Sequence, residues 1–173
     1  MEYNLDFGMI FNSYELWWFK AMLVTLVYAV GIVLAGLLIG IICGTALLAN
    51  RWWINLPIHV YVEIFRCTPV LVQIVWFYFA LPMIVGTNLP AWLASGIGLS
   101  LYMGCFSTEI FRGGIVSIEK GQWQAARSIG MTYFEMMRHI ILPQAIRRMI
   151  PPFVNQSVIQ LKNTAPVTYT HMP

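Results

Sequence analysis

The stretch AMLVTLVYAVGIVLAGLLIGIICGTALLA, from Ala21 to Ala49, runs 29 residues without one charged side chain. A helix rises about 1.5 Å per residue, so this one covers about 43 Å, a bilayer with its headgroup zones. Trp17 and Trp18 precede it and Trp52 and Trp53 follow it, as expected of aromatic belts at two membrane–water interfaces. The leader carries Glu2, Asp6 and Glu15 before Lys20, and the apolar run exceeds the core of a secretory signal, so the helix is expected to be retained. Gly36, Gly40 and Gly44 recur every four residues, two overlapping GxxxG steps that let another backbone approach closely in lipid.

Composition extends this reading to the whole chain. Of 173 residues, 59% are hydrophobic and only 10% charged, against roughly 25% charged in an ordinary soluble domain. Mean hydropathy is +0.71. The net charge of +3, from ten basic and seven acidic residues, is too scattered to form a phosphate-tracking stripe. Cys43, Cys67 and Cys105 are isolated and show no CxxC or Cys/His metal spacing. His59, His139 and His171 lie far apart, and no Ser/His/Asp set or carboxylate pair sits at membrane depth, so an intramembrane hydrolase is excluded. The fold class is therefore an all-α, polytopic membrane bundle, a single domain over 1–173.

Four spans are expected, over 21–49, 58–81, 92–110 and 146–161. The second has Glu63, Arg66 and Pro69 in its first turns, which predicts a polar, broken entrance, and Pro82 is expected to end it. Residues 83–90 then form a short uncharged loop. The fourth contains Pro151, Pro152, Asn155, Gln156 and Gln160, polar groups that should face protein or water. Residues 1–20 hold one Lys against three acids, whereas Arg112, Lys120, Arg127 and Arg138 lie between spans three and four, with Arg147 and Arg148 at the adjoining start of the fourth. The positive-inside rule then places an external leader at 1–20 and a cytoplasmic segment at 111–145, in a multi-pass protein with its N-terminus outside.

Within that segment, GQWQAARSIGMTYFEMMRHIILPQA, from Gly121 to Ala145, reads as two short helices joined at Gly130. Gly130 suits the left-handed conformation that ends a helix, and Thr132 with Glu135 forms a T-x-x-E capping box that starts the next. Ile118, Ala125 and Ile129 recur at helical spacing while Lys120 and Arg127 stay polar, as in an amphipathic helix-turn-helix at a membrane surface, and the small Ala125 and Ala126 would let a partner surface approach closely.

This segment resembles the EAA loop of permease subunits of binding-protein-dependent ABC importers. The match runs through Gln124-Ala125-Ala126, then Gly130, then Ile140, Ile141, Leu142 and Pro143, with Gln124 in place of the family's glutamate. YVEIFRCTPVLVQ at 61–73, EIFRGGI at 109–115 and LPQAIRRMIPPFVNQ at 142–156 are similar to the polar amino acid branch, and the resemblance covers about 20–164. It implies a bacterial inner-membrane half-channel that pairs with an identical or sister permease. Substrate, a polar amino acid, arrives from an external solute-binding protein. Two cytoplasmic ATPase subunits would carry ATP and Mg, with no cofactor on this chain. No G-x-x-x-x-G-K-[ST] loop occurs in the sequence, so the chain reads as a transport subunit rather than an enzyme. By the same resemblance Gln124, Ala125, Ala126 and Gly130 form the contact with the ATPase. The family continues after Lys162-Asn163-Thr164 with a further span, whereas 165–173 reads APVTYTHMP. The expectation is a divergent tail with that last span missing, and the alternative function is a truncated, transport-incompetent fragment acting only as an interaction partner.

Other candidates carry two readings each. Glu63 with Arg66, and Glu109 with Arg112, are i, i+3 pairs that could be structural or could gate the pathway. Asn155, Gln156 and Gln160 could hydrogen-bond a substrate or simply another helix.

Overall fold

The computed structural model describes residues 7–49, 51–86 and 89–164. The first six residues of the leader, the side chains through Trp18 and the 165–173 tail lie outside that description. Every regular element among the described residues is helical: α1 (Phe7–Leu47), α2 (Trp52–Cys67), α3 (Val70–Val75), α4 (Leu81–Val85), α5 (Ala91–Val116), α6 (Lys120–Ser128), α7 (Tyr133–Met136) and α8 (Leu142–Asn163). Wider π-helical turns, Trp76–Ala80 and Met137–Ile141, join α3 to α4 and α7 to α8.

The glycine repeat of α1 finds its partner in α5. A Cβ on Gly36 would run into Met103, one on Gly40 into Ser107, and one on Gly44 would lie 2.9 Å from the Phe111 Cβ. Each contact joins residues the same distance apart in sequence, so the two helices run parallel. Near their start, the Tyr28 hydroxyl donates to the Trp92 carbonyl at 2.6 Å and lies 2.8 Å from the Ser95 hydroxyl. Between Tyr28 and Gly44 the shared length is about 24 Å.

α8 runs the other way along α5. Gly114 lies against Met149 near one end, and the Gln160 side-chain amide donates to the Leu99 carbonyl at 3.1 Å towards the other. The ends of α1 and α5 meet the start of α8 in a core of Ile115, Ile118, Ile141, Ala145 and Met149, with Leu48 and Trp123 packed against it. A second core of Ile32, Ile74 and Leu99, flanked by Tyr28 and Val70, joins α1, α3 and α5 towards the opposite end.

Between those ends the chain returns through an elbow rather than one straight helix. The 58–81 stretch is broken: α2 begins at Trp52, ends at Cys67, and meets the helix from Val70 to Ile84 at 108°. Proline disfavours the α conformation in the residue before it, and Thr68 is extended (φ −94°, ψ 128°) before Pro69. The carbonyls this frees are taken up locally. Gln73 Nε2 donates to Phe65 O at 2.7 Å and to Thr68 O at 2.8 Å, and Thr68 Oγ1 donates to Ile64 O.

Pro82 does not end the second stretch. The N–H of Leu81 reaches back five residues to Trp76 O, and the helix continues to Val85 before Gly86 closes it at φ 73°. A wider turn moves the carbonyl that a proline ring would otherwise strike. The same solution precedes Pro143, where Leu142 N–H bonds to Met137 O. Among the described helices, Phe19–Leu47 alone is long and apolar enough to cross a membrane, with mean hydropathy 2.7; the bent α2–α4 pair passes when taken as one span. α5 and α8 have the length, 26 and 22 residues. Glu109 and Arg112 on α5, and Arg147, Arg148, Gln156 and Gln160 on α8, dilute their apolarity.

Candidate functional site: a capped helix-turn-helix and a charged elbow

α6 ends as its sequence predicts. Gly130 has φ 82°, its N–H bonds to Arg127 O at 3.0 Å, and the next N–H, of Met131, reaches Ala126 O at 3.2 Å. These two bonds form a Schellman closure, which glycine accommodates because it lacks a Cβ. Two residues on, the capping box is complete. Glu135 Oε2 accepts from the Thr132 N–H and hydroxyl, both at 2.8 Å, and the Glu135 N–H donates to Thr132 Oγ1 at 3.4 Å. The backbone N–H of Thr132, with its hydroxyl, holds the Glu135 carboxyl below its ordinary range.

This pair of helices is fixed to the bundle by polar links. Gln144 Nε2 donates to Gln122 Oε1 at 3.3 Å, joining α8 to α6. The Arg148 guanidinium donates to the Ser117 carbonyl past the end of α5. Trp123 and Tyr133 stack across the turn with ring centroids 6.2 Å apart.

The apolar residues at helical spacing do not share one environment. Ile118 is buried, but Ala125 is exposed and Ile129 is 74% exposed; Ala126, at 1%, packs inward. The periodicity fails because Ile118 precedes the helix, which starts only at Lys120, so it cannot set the phase of α6. Of the four residues assigned to the ATPase contact, Gln124, Ala125 and Gly130 are on the surface and Ala126 is not. Ile129, Tyr133 and Phe134, exposed by 57–74%, form an apolar tip around Gly130. Helical spacing alone does not mark them as surface residues. Their signal was present: three large apolar residues flank a glycine turn that leaves them no interior to enter.

The charged residues of α2 and α5 pair differently from expectation. Arg66 Nη1 bonds to Glu109 Oε1 at 2.7 Å, between the end of α2 and the C-terminal half of α5. Glu63 accepts from Cys67 Sγ at 3.4 Å instead of pairing with Arg66. Glu109 and Arg112 form no ion pair with each other. The i, i+3 rule finds neighbours on one helix, whereas the long arginine side chain here reaches the adjacent helix. Both partners of the observed pair remain partly exposed on the surface of the single chain, at 52% and 40%.

On α8 the three polar candidates separate. Asn155 is exposed, whereas Gln156 and Gln160 are buried. Gln160 serves helix packing through Leu99 O, and its Oε1 and the Gln156 Nε2 are buried without a protein partner. Pro151 and Pro152 lie within α8 and cannot donate to the carbonyls of Arg147 and Arg148, leaving backbone acceptors on an exposed side of the helix.

Residues 36–171 match the family of binding-protein-dependent transport system inner membrane components. The glutamine transport system permease protein GlnP of Escherichia coli K12 is 37% identical over 131 residues, 75% of this chain and 60% of that protein. A Rickettsia felis protein carrying the same GlnP name is 37% identical over 146 residues, 84% of this chain and 67% of its own length. The chain thus spans about two thirds or less of the length of these relatives. A crystal structure of an amino acid ABC transporter with histidines superposes with a TM-score of 0.89 at 32% identity, covering 98% of this chain and 78% of that one. An inward-facing MetNI methionine ABC transporter shares the fold, with a TM-score of 0.66 at 22% identity over 82% of this chain and 68% of that one.

Proposed function

This chain belongs to the binding-protein-dependent transport system inner membrane components, and from that premise we propose that it is the permease subunit of an importer that moves a polar amino acid into the bacterial cytoplasm. It pairs with an identical or sister permease and takes its cargo from an external solute-binding protein. Its force comes from separate ATPase subunits that hold ATP and Mg. The observation that carries this reading is the apolar tip of Ile129, Tyr133 and Phe134, held rigidly by a Schellman closure and a capping box. An exposed apolar knob on a braced turn is a docking element for another protein.

In this reading α1, the bent α2–α4 pair, α5 and α8 cross the membrane in alternating directions, and α6 and α7 lie in the cytoplasm. Closure of the ATPase dimer on ATP drives the two tips of the paired permeases together. The push enters α8 through the π-helical turn and α5 through the Arg148–Ser117 link. The helices then rock between inward-open and outward-open states. Gln124 presents an uncharged amide to the ATPase where the family has a carboxylate, so the contact depends on shape and hydrogen bonding.

Reconstitution into proteoliposomes with the cognate ATPase and binding protein tests this directly. ATP-dependent uptake of a polar amino acid is expected. Gly130→Val places a β-branched residue at φ 82°, a conformation costing about 1–2 kcal/mol for an L-residue, and should reduce both ATPase binding and uptake. Stable ATPase binding without uptake by the unmodified chain would favour the interaction-only alternative. Unchanged binding and uptake in Gly130→Val would remove the coupling assignment.

A further inference from the structure

A groove of about 600 Å³ runs between α1 and α8, lined by Leu26, Val33 and Leu37 on one side and Ile150, Val154 and Leu161 on the other. From Ile150 to Leu161 it follows α8 for about 16 Å, the depth of one leaflet of a hydrocarbon core about 30 Å thick.

The end of this groove nearest the helix-turn-helix is polar. Leu48, just past α1, packs against the core that contains Met149. Arg147 comes two residues earlier on α8, so it stands level with the end of the uncharged run at Ala49. It precedes Ile150 by three residues and Val154 by seven, a spacing that puts it on the groove side of the helix. Arg148 is turned away and donates to the Ser117 carbonyl. Arg147 is exposed and forms no ion pair among the described residues. Pro151, four residues on, has no N–H for the Arg147 carbonyl. One turn of α8 therefore presents a guanidinium without a counter-charge beside a carbonyl oxygen without its helical donor.

A guanidinium takes a phosphate oxygen pair through two parallel hydrogen bonds. A free carbonyl oxygen takes a hydroxyl. The site carries one positive charge, which one phosphodiester neutralises, and the adjoining apolar groove suits an acyl chain. Basic positions between helices on the cytoplasmic side bind lipid headgroups by this means. A phospholipid with a single negative charge and hydroxyl groups on its headgroup meets all three demands, whereas a zwitterionic one leaves the charge of the site uncompensated.

We propose that the α1–α8 groove holds one such lipid of the cytoplasmic leaflet, with its phosphate on Arg147, a headgroup hydroxyl on Arg147 O and one chain between the helices. The proposal rests on the membrane-permease reading and adds a ligand to it.

The full chain, purified in detergent and titrated with lipid, tests it by native mass spectrometry. One phosphatidylglycerol should be retained, several-fold more strongly than zwitterionic phosphatidylcholine or phosphatidylmethanol, which has the charge without the hydroxyls. Arg147→Ala should lower phosphatidylglycerol to the level of phosphatidylcholine, whereas Arg138→Ala, at an exposed cation of the helix-turn-helix, should change nothing. Pro151→Ala returns an N–H to the Arg147 carbonyl and should abolish only the advantage over phosphatidylmethanol. Val154→Trp should fill the groove and lower retention several-fold. Equal retention of the three lipids, or retention indifferent to Arg147→Ala or Val154→Trp, would overturn the site. Displacement of the lipid by excess inorganic phosphate would leave an anion site in which the groove has no part, and would overturn it too. So would a disulfide-linked dimer through Val154→Cys in the Cys67→Ser background, which would put a second helix in the groove. Alkaline extraction of the membranes before purification checks the underlying reading separately. A chain released by alkali is not membrane-embedded, whereas one that resists alkali and retains no lipid refutes the proposal alone.

Discussion

Glu135 stands on the surface of the helix-turn-helix, yet it decides where α7 begins. Its carboxylate accepts two hydrogen bonds from Thr132, and these favour the charged form. Because its pKa is lowered on folding, the stabilisation is complete above the unfolded-state value and disappears as pH falls through the folded-state value. The protection of the Thr132 amide, its exchange rate taken relative to the intrinsic rate at each pH, should therefore be high and flat around neutrality, then fall on acidification below the ordinary carboxylate range. Glu135→Gln should remove that acid-side dependence, and a matching acid transition in the variant would refute the assignment. Thr132→Ala should cost about 1 kcal/mol of local stability. This feature was legible in the sequence because a capping box is a local pattern over four residues. The Arg66–Glu109 pair was not, because its partners are 43 residues apart and sequence spacing carries no information about which helix lies alongside.

At the scale of elements, the same distinction separates a face from its neighbour. The four-residue glycine spacing predicted a close-packing stripe on α1, and the stripe exists; only the fold identifies Met103, Ser107 and Phe111 as what it receives. Gly40→Leu should force α1 and α5 apart, since even a Cβ there collides with Ser107. Overpacking of this kind costs about 1–3 kcal/mol or more. The variant should show a lowered unfolding midpoint in detergent and reduced recovery from membranes, while Gly31→Leu, where a Cβ meets nothing within 4 Å, should leave both unchanged. Equal tolerance at the two positions would contradict the packing. The prolines show why boundaries were harder to read. Pro69 does break a helix, because its predecessor Thr68 is extended. Pro82 and Pro143 do not, because each follows a π-helical turn whose extra residue makes room for the ring. Composition does not reveal that accommodation, and the elbow's 108° angle likewise depends on the bonds Gln73 makes back to α2.

For the whole molecule, the helix directions impose a topology independent of the distribution of arginines. α1 and α5 run parallel, so their ends at Leu47 and Val116 lie at the same end of the bundle, where Leu48 joins the core of Ile115 and Ile118. The segment from α2 to α4 must return the chain to the opposite end before α5 starts at Ala91, and α8 must rise again, antiparallel to α5. Positive-inside reasoning on Arg112 to Arg148 reaches the same arrangement from charge alone and adds the choice of which end is cytoplasmic. The two arguments make a joint prediction for cysteines placed one at a time at exposed sites in the Cys67→Ser background. Ser128→Cys, in the helix-turn-helix, should react with an impermeant thiol reagent only in inside-out vesicles, and Arg51→Cys, after α1, should behave the same way. Gly86→Cys, at the turn after α4, should react only in right-side-out cells. If all three reversed together, the geometry would stand and the charge-based orientation would fall. If Arg51→Cys and Ser128→Cys labelled from opposite sides, the parallel packing of α1 on α5 could not describe the protein in its membrane, and a tip on the external face could not receive force from a cytoplasmic ATPase.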